Sequence, residues 1–405
     1  MVTQLEEQIL QVKGFIFAAA AAGIKGSGEK TRNDCALIYS QQSAACAGVF
    51  TKNKVIAAPL LVTKPRMAAG QCQAILVNSG NANACTGQRG LDDARSSSQA
   101  LAAQLSIAED LVAVASTGVI GVPLPVERLL GVIPQLCAEL DADKAGDVAA
   151  AIMTTDSFCK TARRVVTIAG QECNIVALAK GAGMIHPNMA TMLGFVMTDA
   201  AISPELLQPW LTQAVDASFN SITVDGDTST NDMVLLLANG AADNAVLSAD
   251  SPDGAAFKAA LEAVLLDVAK MIVRDGEGAT KLVEIQLNGA IDDAQAKIAA
   301  RSVATSNLVK TAFFGEDANW GRIIAAVGYS GVDVDPNQID IFFDDVQVVS
   351  NGLTTGATQE ELATKVLKHA EFCVRVDLKL GVGSAHYYTS DLTYDYVKIN
   401  ADYRT

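Results

Sequence analysis

A layered α/β fold is what this chain predicts, on three observations. Half of the residues are hydrophobic and 19% are charged, too apolar for a disordered chain and ample for a large core. Aliphatic, β-branched runs alternate with segments of helical period, the pattern of strands and helices stacked in layers. A length of 405 residues suggests two or three domains, taking about 150 residues for each.

The elements follow in order. "FIFAAAAAG" at 15–23 has the apolarity of a signal core, but Glu6 and Glu7 precede it with only Lys13 as a cation, so it reads as a buried strand or helix. "QAILVNSGNANACTG" at 73–87 is a strand entering an Asn/Gly turn, and "DDARSSSQALAAQL" at 92–105 a capped helix. "LVAVASTGVIG" at 111–121 is a short strand broken by Ser116, Thr117 and Gly118, and "DKAGDVAAAIMTTD" at 143–156 is again helical. Then come an amphipathic helix at 206–222, the polar loop "TVDGDTSTND" at 223–232, the buried strand "MVLLLANG" at 233–240, and a long helix at 251–281 closed by a Gly-rich loop. "LVEIQLNGA" at 282–290 opens a second series. The expected division is a domain over 1–285 and a smaller α/β domain over 286–405. Parallel and antiparallel pairing both remain open.

Composition narrows the partners. With 45 acidic against 30 basic residues the net charge is −15, and no long basic run is present, which argues against nucleic acid and anionic membranes. No uncharged apolar stretch reaches about 18 residues, so a spanning helix is not expected. The eight cysteines, Cys35, Cys46, Cys72, Cys85, Cys137, Cys159, Cys173 and Cys373, form no C-x-x-C pair and read as reduced, mostly buried thiols of a cytoplasmic protein.

Several chemistries are excluded by motif. The three histidines, His186, His369 and His386, show no helical metal spacing, so no metal site is expected. Glu29 separates Gly28 from Lys30 and breaks a phosphate-loop pattern, and no G-x-S-x-G elbow occurs. In "TVDGDTSTND", a calcium loop lacks its glycine (Thr230 is there) and its closing glutamate (Leu236 is there). An aspartyl-phosphate reading of Asp225 and Asp227 competes with a turn network in which Asp and Thr side chains satisfy backbone amides, and the turn network is preferred.

"KGAGMIHPNMATMLGFVMTDA" at 180–200 is different. Met184, Ile185, Met189 and Ala190 make an unusually apolar loop, and Thr191 stands where it meets a buried run. A threonine hydroxyl is a poor nucleophile without a base, and one solution is the α-amine of the same residue once it becomes a chain terminus. An α-amine titrates at about 7.7–8.0, leaving a neutral fraction at physiological pH. Cleavage between Ala190 and Thr191 would create it, and the neighbouring glycines and Pro187 permit a strained turn there. The competing reading is a threonine that merely opens a strand.

The same stretch resembles the self-cleavage signature of the ornithine acetyltransferase family, also called glutamate N-acetyltransferases. So do "NSGNANACTG" at 78–87, "ASTGVIG" at 115–121, "TTD" at 154–156, "NSITVDGDTSTND" at 220–232, "RDGEGATK" at 274–281, "FFGEDANWGRI" at 313–323 and the terminal "INADYRT", spanning nearly the whole chain with no departure at a catalytic position. The resemblance implies a layered, N-terminal-nucleophile-like sandwich spanning the cut. It implies an α chain of residues 1–190 and a β chain of residues 191–405, assembled as two α and two β chains. Thr191 would carry acetyl from N-acetylornithine to glutamate in arginine biosynthesis, with Thr117 and Gly118 as oxyanion hole. Thr154, Lys180, Thr191, Glu277, Asn400 and Thr405 match substrate-binding positions. No metal or organic cofactor is implied. Members that also use acetyl-CoA share these motifs with members that do not, so acetyl-CoA stands as an optional co-substrate. A self-cleaving aminopeptidase-type hydrolase using the same threonine is the alternative.

Overall fold

The computed structural model describes residues 10–25, 32–186 and 192–402. Strand β1 (Phe15–Ala20) and the long β2 (Cys35–Phe50) precede α1 (Ala58–Ala68), β3 (Gln71–Asn81), α2 (Gly87–Leu105), β4 (Val112–Val119), α3 (Val126–Ala138) and α4 (Ala145–Ala151). The chain continues through β5 (Lys160–Ile168), β6 (Gln171–Lys180), β7 (Leu193–Thr198), α5 (Pro204–Ala217), β8 (Ile222–Thr223), β9 (Met233–Ala238) and α6 (Pro252–Arg274). It closes with β10 (Leu282–Ala290), α7 (Asp293–Ala304), α8 (Asn307–Phe314), α9 (Trp320–Gly328), β11 (Asp340–Phe343), β12 (Val346–Ser350), β13 (Leu353–Thr354), α10 (Ala357–Val366), β14 (Glu371–Asp377), β15 (Gly383–Ser390) and α11 (Tyr394–Asp402).

Two mixed sheets result. The first runs β4-β3-β2-β9-β7-β6-β5 with β1 beside β2, and the second runs β13-β12-β11-β14-β10-β15-β8. The pairing direction left open by the sequence is mixed in both: β3–β4, β7–β9, β10–β14 and β8–β15 are parallel and the other pairs antiparallel.

The first sheet is folded over itself. Strand β2 pairs with β3 through its first part and with β9 through its last six residues, so it belongs to both halves. Ile75 and Val77 from one half therefore meet Val176, Leu178, Phe195 and Leu235 from the other in one core. The outer face of the first half is covered by α2 and α3 through Leu101, Leu129 and Ile133. That of the second half is covered by α5 and α6 through Leu211, Phe257, Leu261 and Leu265. The order helix, sheet, sheet, helix is the layered α/β sandwich expected from the sequence. Strand β7 lies between β6 and β9 and is buried at every residue, which explains why "LGFVMT" shows no alternation.

Local chemistry sets the helix bounds. Ser251 caps α6 by accepting from the Gly254 amide at 3.0 Å, Pro252 opens its first turn and Arg274 closes it. Phe257, Leu261, Val264, Leu265, Val268 and Ile272 are all buried on one stripe, each contributing about 1.5–3 kcal/mol. Helix α2 begins at Gly87, five residues before its expected start. Helix α5 stops at Ala217, and the last expected residues form a single tight turn at Phe219–Ser221 before β8. The helix expected at 143–156 shortens to α4, because Thr154, Thr155 and Asp156 turn away into a polar cluster. The thiols need a correction: all eight are free, but only Cys35, Cys46, Cys72 and Cys173 are buried, while Cys85 and Cys159 are exposed. Among the described residues no helix is long and apolar enough to cross a membrane.

Strand β8 carries the chain from the first sheet to the edge of the second, pairing with β15 at Tyr388 and Thr389. The loop that follows it, Val224 to Asp232, is thereby brought against the loop that follows β6.

Candidate active site

The ends of β4 and β6, the turn after α4, the loops after β8 and α6, and helix α11 converge on a cavity of about 350 Å3. Lys180, the last residue of β6, lies at its base and is buried. Its Nζ donates to Thr154 Oγ1 at 2.9 Å and to Thr117 Oγ1 at 3.2 Å, and stands 3.9 Å from Asp156 Oδ2. Burial lowers the Lys180 pKa, and the Asp156 carboxylate opposes that loss. Thr117 accepts from Lys180, so its own O–H remains to be donated into the cavity.

Thr117 and Gly118 end β4 where the register against β3 is irregular: Asn81 pairs with both Thr117 and Val119. Gly118 has φ +133, and a Cβ there would lie 2.3 Å from the Gly80 carbonyl carbon, a position only glycine can fill. Gly118→Ala is expected to push β3 and β4 apart and lower the melting temperature. A thermal melt checks it, and an unchanged melting temperature would contradict it.

Asp156 organises this corner. Its Oδ1 accepts from the Gly181 amide at 2.6 Å and from Lys160 Nζ at 2.7 Å, and its Oδ2 accepts from the Thr154 amide at 2.9 Å. Lys160 is fully buried and also bonds Asp275 at the end of α6. Burial alone would raise the Asp156 pKa, but Lys180 and Lys160 overcome it and hold the carboxyl well below its usual range.

Glu277 arrives on the loop after α6. Its amide donates to Ala182 O at 3.0 Å and its carboxylate accepts from Asn400 Nδ2 at 2.9 Å. Gly183 leaves room for it: a Cβ there would lie 2.4 Å from the Glu277 carboxyl carbon, and the carboxylate would have to move. Asp225 takes the Met184 amide at 2.6 Å and the Ile185 amide at 2.8 Å. Both its oxygens are thus engaged by backbone, the turn network preferred from sequence over a phosphorylated aspartate. Of the apolar residues expected to hold this loop inside the protein, Ile185 is buried and Met184 is partly exposed in the cavity wall.

The structure therefore brings Thr117, Gly118, Thr154, Lys180, Glu277 and Asn400 together around one cavity. Ala190, Thr191 and Thr405 lie outside the described residues, as does Met189. Their neighbour Met192 is buried at the entrance to β7. One group was missed by the sequence reading. Asp232, one residue before the Leu193–Met233 pair that opens the parallel register of β7 and β9, is buried and accepts from the Met192 amide. Burial raises its pKa well above the usual range, and its Oδ2 has no partner among the described residues. The only signal in the sequence is its place at the end of "TSTND", where it looks like one more turn residue. Among the described residues no cluster of His, Cys, Asp and Glu could hold a metal ion.

Cavity charge favours an amino acid ligand. Lys180 offers a cation for a carboxylate, while Glu277, Asp225 and Asp227 offer acceptors for ammonium groups.

Residues 16–405 match the model of the ArgJ family. The arginine biosynthesis bifunctional protein ArgJ of Syntrophotalea carbinolica is 62% identical over 399 residues, covering 98% of this chain and all of that one. Its counterpart in Geobacter sulfurreducens is 57% identical over 396 residues, with 98% and 100% covered. The crystal structure of the bifunctional ArgJ of Bacillus halodurans shares 48% identity with a TM-score of 0.50, covering 52% of this chain and 98% of the solved one.

Proposed function

The chain belongs to the ArgJ family, and from that premise we infer that it transfers acetyl from N2-acetyl-L-ornithine to L-glutamate in arginine biosynthesis. Its relatives are named bifunctional, so the reading includes glutamate acetylation by acetyl-CoA as a second activity. The observation that supports it is the cavity, where the ends of β4 and β6 meet Glu277 and Asn400 at the mouth of β7.

In this reading Thr191 Oγ first attacks the Ala190 carbonyl. The N-to-O acyl shift frees the Thr191 amine and leaves an ester, which water hydrolyses to an α chain of 190 residues and a β chain of 405 − 190 = 215 residues. The solved B. halodurans chain supports such a division: it aligns with 52% of 405, about 211 residues, while being covered almost completely. In the acetyl cycle the α-amine of Thr191 takes the hydroxyl proton as Oγ attacks the acetyl carbonyl. The Thr117 O–H and the Gly118 N–H receive the developing oxyanion, each worth about 3–4 kcal/mol. Ornithine leaves with that proton, and the glutamate amine then attacks the acetyl-threonine ester.

Lys180 pairs with the substrate α-carboxylate, Glu277 with the δ-ammonium of ornithine, and Thr154, Asn400 and Thr405 are the remaining substrate-binding positions. The chemistry needs no metal or organic cofactor. The reading also takes the protein to be cytoplasmic, with two α and two β chains in the assembly.

Labelled N-acetylornithine separates transferase from hydrolase. With glutamate present, label is expected in N-acetylglutamate at the rate ornithine appears. Label released as free acetate, with or without glutamate, would assign the aminopeptidase-type alternative instead.

A further inference from the structure

The active-site cavity is poorly suited to the phosphates of acetyl-CoA. Among the described residues, Asp225, Asp227 and Glu277 line it and Lys180 is the one cation, so phosphate oxygens would be repelled there. A thioester donor must place its phosphates elsewhere.

A second cavity, of about 300 Å3, lies on the other side of the same loops. Met184 lines the first cavity and His186, two residues on, lines the second. The partition is tied by Thr228 Oγ1, which donates to His186 O at 3.2 Å, and by His186 Nδ1, 3.2 Å from Thr223 Oγ1. The charge of the second cavity is opposite: Lys52, Lys297 and Arg301 against the one carboxylate of Asp216. That carboxylate already accepts from Asn220 Nδ2. Lys297 and Arg301 stand one turn apart on α7 and share a face. In a chain of net charge −15, three cations around one cavity are a specific feature rather than a reflection of composition.

We propose that this basic cavity holds the phosphate groups of acetyl-CoA, with the acetyl end reaching the active site past the 184–186 loop. The proposal rests on the bifunctional reading and gives that second activity its own binding site. Arg301 supplies a planar fork for phosphate oxygens, and Lys52 and Lys297 supply point charges.

The test is the double variant Lys52→Ala/Arg301→Ala. Both side chains are exposed, so folding is not at risk, whereas Lys297 is kept because its Nζ also donates to Asp216 O at 2.8 Å at the end of α5. The KM for acetyl-CoA is expected to rise about tenfold or more, the scale of losing charge-assisted contacts, with N-acetylornithine:glutamate kinetics unchanged. Inorganic pyrophosphate is expected to compete with acetyl-CoA in the wild type and not with N-acetylornithine. Unchanged acetyl-CoA kinetics in the variant would overturn the site while leaving the bifunctional reading intact. A wild type that uses N-acetylornithine but never acetyl-CoA would overturn both. Pyrophosphate inhibiting both reactions alike, and losing that effect in the variant, would assign the cavity to a free phosphate effector and overturn the acetyl-CoA assignment.

Discussion

Alanine at position 191 is expected to reduce acetyl transfer by about six orders of magnitude, the scale seen when an activated hydroxyl nucleophile is removed from a preorganised site. The reason is twofold. The variant lacks the Oγ proposed as acyl acceptor, and it also keeps the peptide bond between positions 190 and 191, so the α-amine proposed as base is never formed. The stability of the fold should change little, because β7 begins after this position and its buried run from Leu193 is untouched. Thr191→Ser retains a hydroxyl on the same backbone and should both cleave and turn over, at a reduced rate. Single-turnover assays with labelled N-acetylornithine, run beside a thermal melt, check the set. Transfer in Thr191→Ala above about a thousandth of the wild-type rate would remove this residue from the chemistry.

The second large effect belongs to Asp156→Ala. This carboxylate holds Lys160, which has no exposed surface, together with the Gly181 and Thr154 amides. Its loss leaves a buried ammonium with only Asp275 and the Phe158 carbonyl, and two amides without their acceptor. Breaking a buried ion pair from one side costs about 3–5 kcal/mol, and unfolding in urea should show it. Activity should fall by about 100-fold or more, since both Thr154 and Lys180 lose the group that fixes them. Asp156→Asn keeps the acceptor oxygen and should recover part of the stability. The pH dependence has a definite sign. The folded pKa lies below the ordinary value of 3.8, so the stabilisation is complete above the unfolded pKa and is lost only as pH falls toward the folded one. A neutral-pH stability of Asp156→Ala equal to the wild type would contradict the assigned network.

The parts of this site that depend on short spacing were legible in the sequence. Thr117 and Gly118 interrupt an apolar strand, Lys180 and the glycines precede a buried run, and Glu277 sits in a Gly-rich loop after a long helix. The alternation of strand and helix likewise pointed to layers. Two kinds of feature were not legible. Strand direction depends on which segments meet, and β7 pairs with β9 in parallel only because α5, β8 and the loop after β8 carry the chain back. Buried ionic groups are the other. Asp156, Lys160 and Asp275 come from two distant segments, and Asp232 becomes notable only when its carboxyl is seen against the Met192 amide. Nothing in the order of residues marks a carboxylate as buried. The basic cavity is hidden for the same reason, because Lys52, His186 and the α7 pair are assembled from three parts of the chain.

Intact-protein mass spectrometry of the wild-type enzyme, incubated with N-acetylornithine and no glutamate, tests the central claim most directly. The account predicts two fragments, residues 1–190 and 191–405, with one acetyl group on the second at Thr191, removed when glutamate is added. An unbroken chain, or an acetyl group carried on any other residue, would contradict it.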